Sequence, residues 1–595
     1  MEAGTTPTTG SKTIADLVPK AAEVYGDKPA IRHKVDGEWA DVSFAQMGEI
    51  VSEIGRGFID LGLEPGERVS ILCSTRPEWV YNSFGVSSAG GVVVPIYATN
   101  SPEECEWVAG NSESAAVVVE NAEQYAKIAE VRDRLPNLRF VVVIEKDGET
   151  GDAVTVDELR EKGRAIDEAE LTARYEAVTP DDPYTFIYTS GTTGPPKGCV
   201  LSQGNYRSVL NSINERGLFA EGEDVVYLFL PLAHAFALLI CLGAADTGTT
   251  VAYWSGDPQL IIPDLSEVKP TYLPSVPRIF EKLYSMVAGN VDPELLAKAT
   301  EVGEQVRDLQ IAGEPVPEEL QAAFDQFDEQ LYSNVRAAFG GRLREAVTGA
   351  APIAPEILRF FYAAGVPVME GYGMTETATV ATTSTPENHK FGSIGKPLPG
   401  VEVKIADDGE ILIKGANIFQ GYYKNDDASF GAIVDGWLHT GDLGSIDEDG
   451  FVYITGRKKD IIITAGGKNL TPANLENDMK QSQWVSQAVM HGDRRPFPVM
   501  LITLDEETIV PWAQAEGIED TSIEALSQNE QVIAMIQAEL DQANEKYAQV
   551  EQVKKFFILE HDLTQETDEL TPTLKVKRNV VNEKYADRFD ALYES

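Results

Sequence analysis

Residues Tyr188-Thr-Ser-Gly-Thr-Thr-Gly-Pro-Pro-Lys-Gly198 combine closely spaced glycines, four Ser or Thr side chains and a lysine. Apolar segments typical of β-strands lie on both sides, Tyr184-Thr-Phe-Ile-Tyr188 before the stretch and Cys199-Val-Leu201 after it. Glycine lets the backbone turn sharply and approach a ligand, and the hydroxyl groups and lysine can hydrogen-bond phosphate. The stretch therefore predicts a polyphosphate-binding loop between two strands. The predicted phosphate-binding residues are Thr189, Ser190, Gly191, Thr192, Thr193, Gly194 and Lys197.

This stretch differs from the Walker loop of P-loop kinases. A Walker loop has the pattern G-x-x-x-x-G-K-[ST] and opens a helix, whereas Lys197 is followed by Gly198 and an apolar run. A loop rich in Thr, Ser and Gly is, by itself, also typical of a plain turn. The phosphate-binding interpretation therefore depends on the rest of the chain.

Further segments downstream match one family in order. With residues 188–198 they resemble the acyl-adenylate-forming synthetases, which include acyl-CoA ligases, peptide-synthetase adenylation domains and beetle luciferases. The resemblance covers nearly the whole chain. The segments are Gly349-Ala-Ala-Pro352, Gly371-Tyr-Gly-Met-Thr-Glu-Thr377, Gly436-Trp-Leu-His-Thr-Gly-Asp442 with Gly456-Arg-Lys-Lys-Asp460, and Leu570-Thr-Pro-Thr-Leu-Lys575.

The resemblance implies a large N-terminal domain and a small C-terminal domain. Apolar runs at 69–73, 91–95, 115–119 and 140–144 alternate with helix-like stretches such as Phe44 to Leu63. This alternation predicts an α/β domain with a mainly parallel sheet and helices on both faces. We expect a disordered tail at 1–12, an N-terminal domain at 13–456 with a two-helix excursion at 286–336, and a mobile α+β domain at 457–595.

One stretch, Val225 to Ala245, is long and apolar enough to suggest a membrane span. Pro231 and His234 interrupt it, and Asp246 follows at once. We therefore expect a buried strand, a turn at Pro231 and a buried helix from about Phe236.

Bulk composition restricts the partners and the compartment. The chain has 595 residues and a net charge of −46, which disfavours nucleic acid and anionic membrane surfaces as partners. Its 4 cysteines lack metal-ligand spacing, and residues 1 to about 12 lack the apolar stretch of a signal peptide. We predict a cytoplasmic enzyme with reduced core thiols, and leave open peripheral attachment to the cytoplasmic membrane face and the oligomeric state.

The resemblance assigns the residues that handle phosphate and metal. Attack of a carboxylate on the α-phosphorus of ATP brings two anions together, so the site must neutralise charge. By resemblance, Glu376 binds Mg²⁺, Thr189 is a hydroxyl ligand of the same ion, and Thr375 donates to the α-phosphate. Mg²⁺ suits such a site because it takes oxygen ligands from a few side chains, phosphates and water.

The resemblance also assigns the residues that bind the nucleoside. Asp442 resembles the carboxylate that accepts both ribose hydroxyls, and Arg457 resembles the residue that supports it. Tyr372 offers an aromatic face to adenine, and small residues let the base approach the backbone. The residues implied around the base are Gly349, Ala350, Ala351, Gly371, Tyr372 and Gly373.

The resemblance also implies that different parts of the C-terminal domain act in the two half-reactions. Lys575 stabilises charge in the first transition state, and Lys459 is the hinge about which the domain swings. The swing brings Gly466, Gly467 and Lys468 to the site for the CoA step. His234 falls where the family has a residue beside the acyl carboxylate, although a satisfied core histidine is the alternative.

Two positions depart from the pattern of the family. Leu574 stands where many members have glycine before the lysine, a form that resembles the long-chain fatty acyl branch. Gln203 replaces a commonly found histidine.

The sequence thus predicts a long-chain fatty acid:CoA ligase that uses MgATP, a fatty acid and CoA, forms acyl-AMP and pyrophosphate, and then forms acyl-CoA. A fatty acyl-AMP ligase that loads a carrier protein is the alternative enzyme. A non-catalytic acyl- or nucleotide-binding regulator is the alternative from another class, and retention of Lys575, Glu376 and Asp442 argues against it.

Overall fold

The computed structural model of this chain describes residues 8–189, 195–220, 223–465, 468–571 and 575–594. Its strands are β1 Pro29–Val35, β2 Glu38–Ser43, β3 Arg68–Leu72, β4 Val92–Ile96, β5 Ser114–Val119, β6 Phe140–Val143, β7 Val154–Thr155, β8 Pro183–Thr189, β9 Lys197–Ser202, β10 Val225–Leu228, β11 Thr250–Tyr253, β12 Tyr272–Ser275, β13 Glu345–Thr348, β14 Val368–Tyr372, β15 Thr382–Thr383, β16 Lys396–Pro397, β17 Val401–Ile405, β18 Glu410–Gly415, β19 Gly421–Tyr422, β20 Ile433–Val434, β21 Trp437–Ile446, β22 Val452–Arg457, β23 Ile462–Ile463, β24 Asn469–Leu470, β25 Val485–His491, β26 Val499–Leu504 and β27 Lys555–Ile558.

The α-helices cover both faces of the larger sheets and form much of the C-terminal domain. They are α1 Leu17–Tyr25, α2 Phe44–Asp60, α3 Pro77–Ser88, α4 Pro102–Asn111, α5 Ala122–Val131, α6 Val156–Arg164, α7 Glu168–Ala177, α8 Gln203–Glu215, α9 Ala235–Thr247, α10 Ile261–Val268, α11 Pro277–Ala288, α12 Pro293–Ala312, α13 Glu318–Phe327, α14 Ser333–Ala338, α15 Pro355–Ala363, α16 Asp426–Ala432, α17 Pro472–Lys480, α18 Glu506–Ala515, α19 Ile523–Leu526, α20 Glu530–Asn544, α21 Arg578–Lys584 and α22 Ala586–Glu594.

Two large sheets with parallel centres form the framework of the N-terminal domain. One has the order β16-β15-β14-β13-β12-β10-β11-β1-β2, and the other has the order β19-β9-β8-β4-β3-β5-β6-β7. Their inner pairs are parallel, as expected for strands connected by covering helices. The predicted α/β class is confirmed. A third, antiparallel sheet of β17, β18, β20, β21 and β22 completes this part of the chain.

Residues 8–12 are ordered, so the prediction of a disordered tail is wrong for them, while residues 1–7 lie outside the described part of the chain. Thr9 is 6% exposed, and its hydroxyl donates to the Asp246 carboxylate at 2.6 Å. Ser11 accepts from Arg207, and Arg207 also forms a buried ion pair with Asp246. A composition of Thr, Gly and Ser does not indicate disorder when the hydroxyl groups bind buried partners elsewhere in the chain.

The apolar stretch 225–245 divides as predicted into strand β10, a turn and helix α9. Every residue of α9 except Phe236 is buried. A helix that is apolar all round is expected in the core of a large domain. Within the part of the chain that the structure describes, no helix combines the length and hydropathy needed to cross a membrane.

The C-terminal domain follows β22, which continues to Arg457 within the third sheet. Its sheet has the order β25-β26-β27, and helices α17 and α20 pack against one another beside it. Two ion pairs connect it to α11 of the N-terminal domain: Arg278 binds Asp505, and Lys282 binds Glu507. In the predicted excursion at 286–336, α12 and α13 are the two helices, and a π-helical turn at 328–332 leads on to α14.

Candidate active site

The two ends of the predicted phosphate loop lie side by side. Strands β8 and β9 are antiparallel, with Thr189 opposite Lys197, so the two strands that flank the predicted loop are hydrogen-bonded neighbours. Ser190, Gly191, Thr192, Thr193 and Gly194 lie outside the described residues. The Thr189 hydroxyl is 3.9 Å from the sulfur of Cys199, on the strand that leads out.

Glu376 lies beside this loop end. It is 7% exposed, belongs to a short 3₁₀ turn that begins at Thr375, and accepts a hydrogen bond from the Tyr422 hydroxyl at 2.6 Å. Burial, reinforced by the Glu376 carboxylate, holds the pKa of the Cys199 thiol well above its usual range. Glu376, Cys199 and Thr189 therefore form one group at the loop.

The residues predicted around adenine come from neighbouring parallel strands. Thr348 at the end of β13 is opposite Glu370 of β14, so the segments that follow lie at the same carboxyl edge. A Cβ atom at Gly349 would lie 2.8 Å from the Gly371 carbonyl oxygen, and one at Gly373 would lie 2.1 Å from the Thr379 carbonyl oxygen. Only glycine fits this close backbone contact. Ala350 and Ala351 continue from Gly349 along the same edge.

Asp442 is held by two partners at this edge. The Tyr372 hydroxyl donates to its Oδ2 atom at 2.7 Å, and the Arg457 Nε atom lies 2.9 Å from its Oδ1 atom. Burial, with the Asp442 charge added, holds the pKa of Tyr372 well above its usual range, so the phenol remains a donor. A carboxylate has about four lone-pair sites, so Asp442 keeps acceptor capacity for a diol.

Lys575, near the end of the chain, interacts electrostatically with Asp442 and Arg457. Its backbone N–H donates a hydrogen bond to the Thr571 hydroxyl of the same domain at 3.1 Å. The residue is exposed to solvent, although nearby protein groups partly desolvate its ammonium group. Desolvation, with Arg457 next in importance, lowers the pKa of Lys575 to about 8, while Asp442 acts in the opposite direction.

His234 lies near Lys575, at the N-terminal end of α9. Its Nδ1 atom accepts from the Phe236 N–H at 3.2 Å. Burial, with the Lys575 charge added, lowers the pKa of His234 to about 4. The imidazole is therefore neutral near pH 7, and its proton is on Nε2, which becomes the donor available to a ligand.

Lys459 follows β22 between the two domains. Desolvation and the Arg457 charge lower its pKa, and Asp460, Asp442 and Glu376 oppose that shift. Gly466 and Gly467 lie outside the described residues. In this domain arrangement Lys468 pairs with Glu551 of its own domain at 3.2 Å.

The donor set at the loop fits Mg²⁺. Over the described ranges of the chain, no group of three or more His, Cys, Asp or Glu side chains could hold a metal ion by itself. Glu376 and Thr189 offer one carboxylate and one hydroxyl. Mg²⁺ commonly takes its remaining ligands from phosphates and water, whereas a zinc site would need more protein ligands.

Electrostatic interactions thus link Lys575 to His234 and Asp442, and Lys459 to Asp442 and Glu376. Sequence reasoning missed Tyr422, the hydrogen-bond partner of Glu376. Its signal in the sequence, Gly421-Tyr-Tyr423, is short and lies 46 positions from Glu376. Gln203 also has a role that the sequence did not indicate, because its Oε1 atom accepts from the Ile14 N–H at 2.8 Å and is buried under the N-terminal segment.

Two family models match this chain. A family model described as AMP-binding enzyme matches residues 18–423, and one described as AMP-binding enzyme C-terminal domain matches residues 459–595. The chain therefore belongs to the AMP-binding enzyme family.

Individual proteins are similar to this chain over most of their own length. The long-chain-fatty-acid–CoA ligase FadD15 of Mycobacterium bovis is 41% identical over 94% of this chain and 93% of its own length. The long-chain-fatty-acid–CoA ligase ACSBG2 of Xenopus laevis is 34% identical over 98% of this chain and 84% of its own length. Among solved structures, the adenylation domain of a Mycobacterium chelonae carboxylate reductase superposes with a TM-score of 0.75 at 20% identity, over 99% of this chain and 92% of that one. That structural similarity supports the fold alone.

Proposed function

We propose that this protein is a long-chain-fatty-acid–CoA ligase that activates its substrate as an acyl adenylate. The observation that supports the proposal is the electrostatic interaction of Lys575, in the C-terminal domain, with Asp442 and Arg457, which form an ion pair with each other. The substrate class is inferred from the relatives named above.

In the first step, one oxygen of the fatty acid carboxylate attacks the α-phosphorus of ATP, and the bond from that phosphorus to pyrophosphate breaks. Negative charge is concentrated between nucleophile and phosphate in the transition state. The Lys575 ammonium group stabilises this charge. The neutral His234 donates a hydrogen bond from its Nε2–H group to the fatty acid carboxylate. Thr375 donates to the α-phosphate.

The nucleotide is held in place by separate groups. Asp442 accepts from the two ribose hydroxyls, and Arg457 and Tyr372 keep its carboxylate oriented. Adenine lies between the Tyr372 ring and the small residues Gly349, Ala350 and Ala351. Lys197 and the loop hydroxyls bind the β- and γ-phosphates. Glu376 and Thr189 hold Mg²⁺, which neutralises phosphate charge when bound.

In the second step, the thiol of CoA gives its proton to water, its sulfur forms a bond to the acyl carbonyl carbon, and the carbon–oxygen bond to AMP breaks, so that AMP leaves with the bonding electron pair. We assign Lys459 as the hinge that lets the C-terminal domain rotate between steps. In this proposal, the rotation withdraws Lys575 and brings residues 466–468 to the nucleotide-binding residues. A cytoplasmic location belongs to the same proposal.

The test is release of AMP and pyrophosphate by the purified protein with carboxylates from acetate to eicosanoate, with and without CoA, with the thioester detected by mass spectrometry. We expect a CoA-dependent thioester with a maximum at long chains. Acyl-AMP that accumulates without thioester would instead identify a carrier-loading enzyme. Absence of turnover with every acid would refute the activity.

A further inference from the structure

Tyr422 connects the two groups that the proposed reaction assigns to phosphate and metal. Its hydroxyl donates to the Oε1 atom of Glu376 at 2.6 Å. Its ring lies under the Lys197 ammonium group, which is 4.7 Å from the ring centroid. One side chain thus contacts both the metal-binding carboxylate and the lysine of the phosphate loop.

The position of Tyr422 is fixed by the strands around it. Strand β19 pairs with β9, which places Tyr422 opposite Cys199 on the strand that leaves the phosphate loop. The Tyr422 N–H donates to the Ser429 hydroxyl at 2.8 Å, and its ring packs edge-on against Phe419 with 4.9 Å between centroids. The hydroxyl therefore approaches Glu376 from a rigid base.

Glu376 is held by the same segment at its backbone. The Phe419 N–H donates to the Glu376 carbonyl oxygen at 2.9 Å. Backbone and carboxylate of Glu376 are thus both bound by residues 419–422. With Oε1 fixed by the phenol, the direction of Oε2 is fixed as well.

We propose that Tyr422 is a positioning residue with two separable parts: its hydroxyl orients Glu376 for Mg²⁺, and its ring supports Lys197 for the phosphates. This inference rests on the proposed function. Hydrogen-bond partners of metal ligands orient those ligands, and their loss typically reduces metal affinity or activity by about 10- to 100-fold. A cation over an aromatic face is attracted by the ring quadrupole, so the ring also restrains the lysine.

Two substitutions distinguish the role of the Tyr422 hydroxyl from that of its ring. Tyr422→Phe removes the hydroxyl and keeps the ring, so Phe419 packing and the Lys197 contact remain. Tyr422→Leu removes both. The matched control is Tyr423→Phe, because the Tyr423 hydroxyl donates to Glu113 at 2.9 Å and its ring packs on Phe186.

Binding of α,β-methylene-ATP is measured by calorimetry, once with EDTA and once with Mg²⁺. For Tyr422→Phe we expect the Mg²⁺-dependent gain in affinity to fall by about 10-fold or more, with unchanged affinity in EDTA. Tyr422→Leu should also weaken binding in EDTA, because Lys197 loses its support. Tyr423→Phe should match the unsubstituted protein in both conditions.

Steady-state kinetics give a second readout. Tyr422→Phe should raise the Mg²⁺ concentration required for acyl-AMP formation and leave the KM for fatty acid unchanged. A purely structural role would instead lower the melting temperature and change every KM together.

The outcomes separate this inference from the function it rests on. Equal Mg²⁺-dependent gains in Tyr422→Phe and the unsubstituted protein would overturn the role of Tyr422 alone. If the unsubstituted protein binds the analogue without any gain from Mg²⁺, the proposed metal site is overturned too. If Tyr422→Leu does not fold, the comparison of the Phe variants at 422 and 423 still decides the role of the hydroxyl.

Discussion

Raising the pH should slow the first half-reaction and speed the second, because only the first needs Lys575 in its charged form. Desolvation and the neighbouring Arg457 lower its pKa from 10.5 to about 8. A lowered pKa means that the ammonium group is charged below pH 8 and loses its proton as the pH rises through that value. Acyl-AMP formation should therefore decline at alkaline pH.

The magnitude follows from the titration of a single group. Roughly nine-tenths of the Lys575 side chains are charged one pH unit below the pKa and roughly one-tenth one unit above, and each further unit costs about a factor of ten. Thioester formation from supplied acyl-AMP should instead increase with pH, because a thiol ionises near pH 8.5 (about that of free cysteine). The two pH profiles should have opposite slopes.

The assay is kcat/KM for acyl-AMP formation, since that ratio reports ionisations of the free enzyme. Lys575→Arg keeps the charge at all accessible pH values, so its alkaline decline should disappear even if its rate is lower. Lys577→Ala is the control, because Lys577 pairs with Asp568 on the surface, and it should keep the decline. A flat profile in the unsubstituted protein, or a decline that persists in Lys575→Arg, would refute the reasoning.

Three substitutions test residues of the proposed site, and a fourth tests the buried Arg207–Asp246 ion pair. Lys575→Ala should reduce acyl-AMP formation by about 100- to 1000-fold, as loss of one charge-stabilising donor does, and leave thioester formation from supplied acyl-AMP largely intact; equal loss of both would contradict the assigned role. Lys459→Ala should change the ratio of the two half-reaction rates, and unchanged rates would argue against a hinge. Asp442→Ala should raise the KM for ATP by about tenfold or more, because hydrogen bonds to a charged group contribute about 1.5–3 kcal/mol; an unchanged KM would exclude a ribose contact. Asp246→Ala leaves the buried Arg207 unpaired and should reduce the free energy of unfolding by about 3–5 kcal/mol in urea denaturation, whereas a change below about 1 kcal/mol would show that the pair is solvated.

Most of the framework could be predicted because local patterns determine it. Ser43 and Gln46 form a capping box at the start of α2, which ends at Asp60, close to the expected Leu63. The apolar stretch after Val225 was correctly divided at Pro231, because proline interrupts both strand and helix.

What could not be predicted depends on contacts between distant residues. Thr9 is ordered by Asp246, 237 positions away, and no local pattern encodes that hydrogen bond. Tyr422 approaches Glu376 because β19 pairs with β9, a register that becomes visible only in three dimensions. The predicted roles of the site residues remain predictions, since they come from resemblance and await the experiments above.

The ion pairs between α11 and α18 have a consequence for how such experiments are compared. Arg278, Lys282 and Glu507 have side chains that are 48%, 55% and 73% exposed. Salt screens exposed charges, with a Debye length of about 10 Å at 0.1 M and about 3 Å at 1 M. If the proposed rotation separates these partners, we expect ionic strength to change the stability of one domain arrangement relative to the other. Variants should therefore be ranked at one fixed ionic strength, so that differences in rate do not reflect different resting populations.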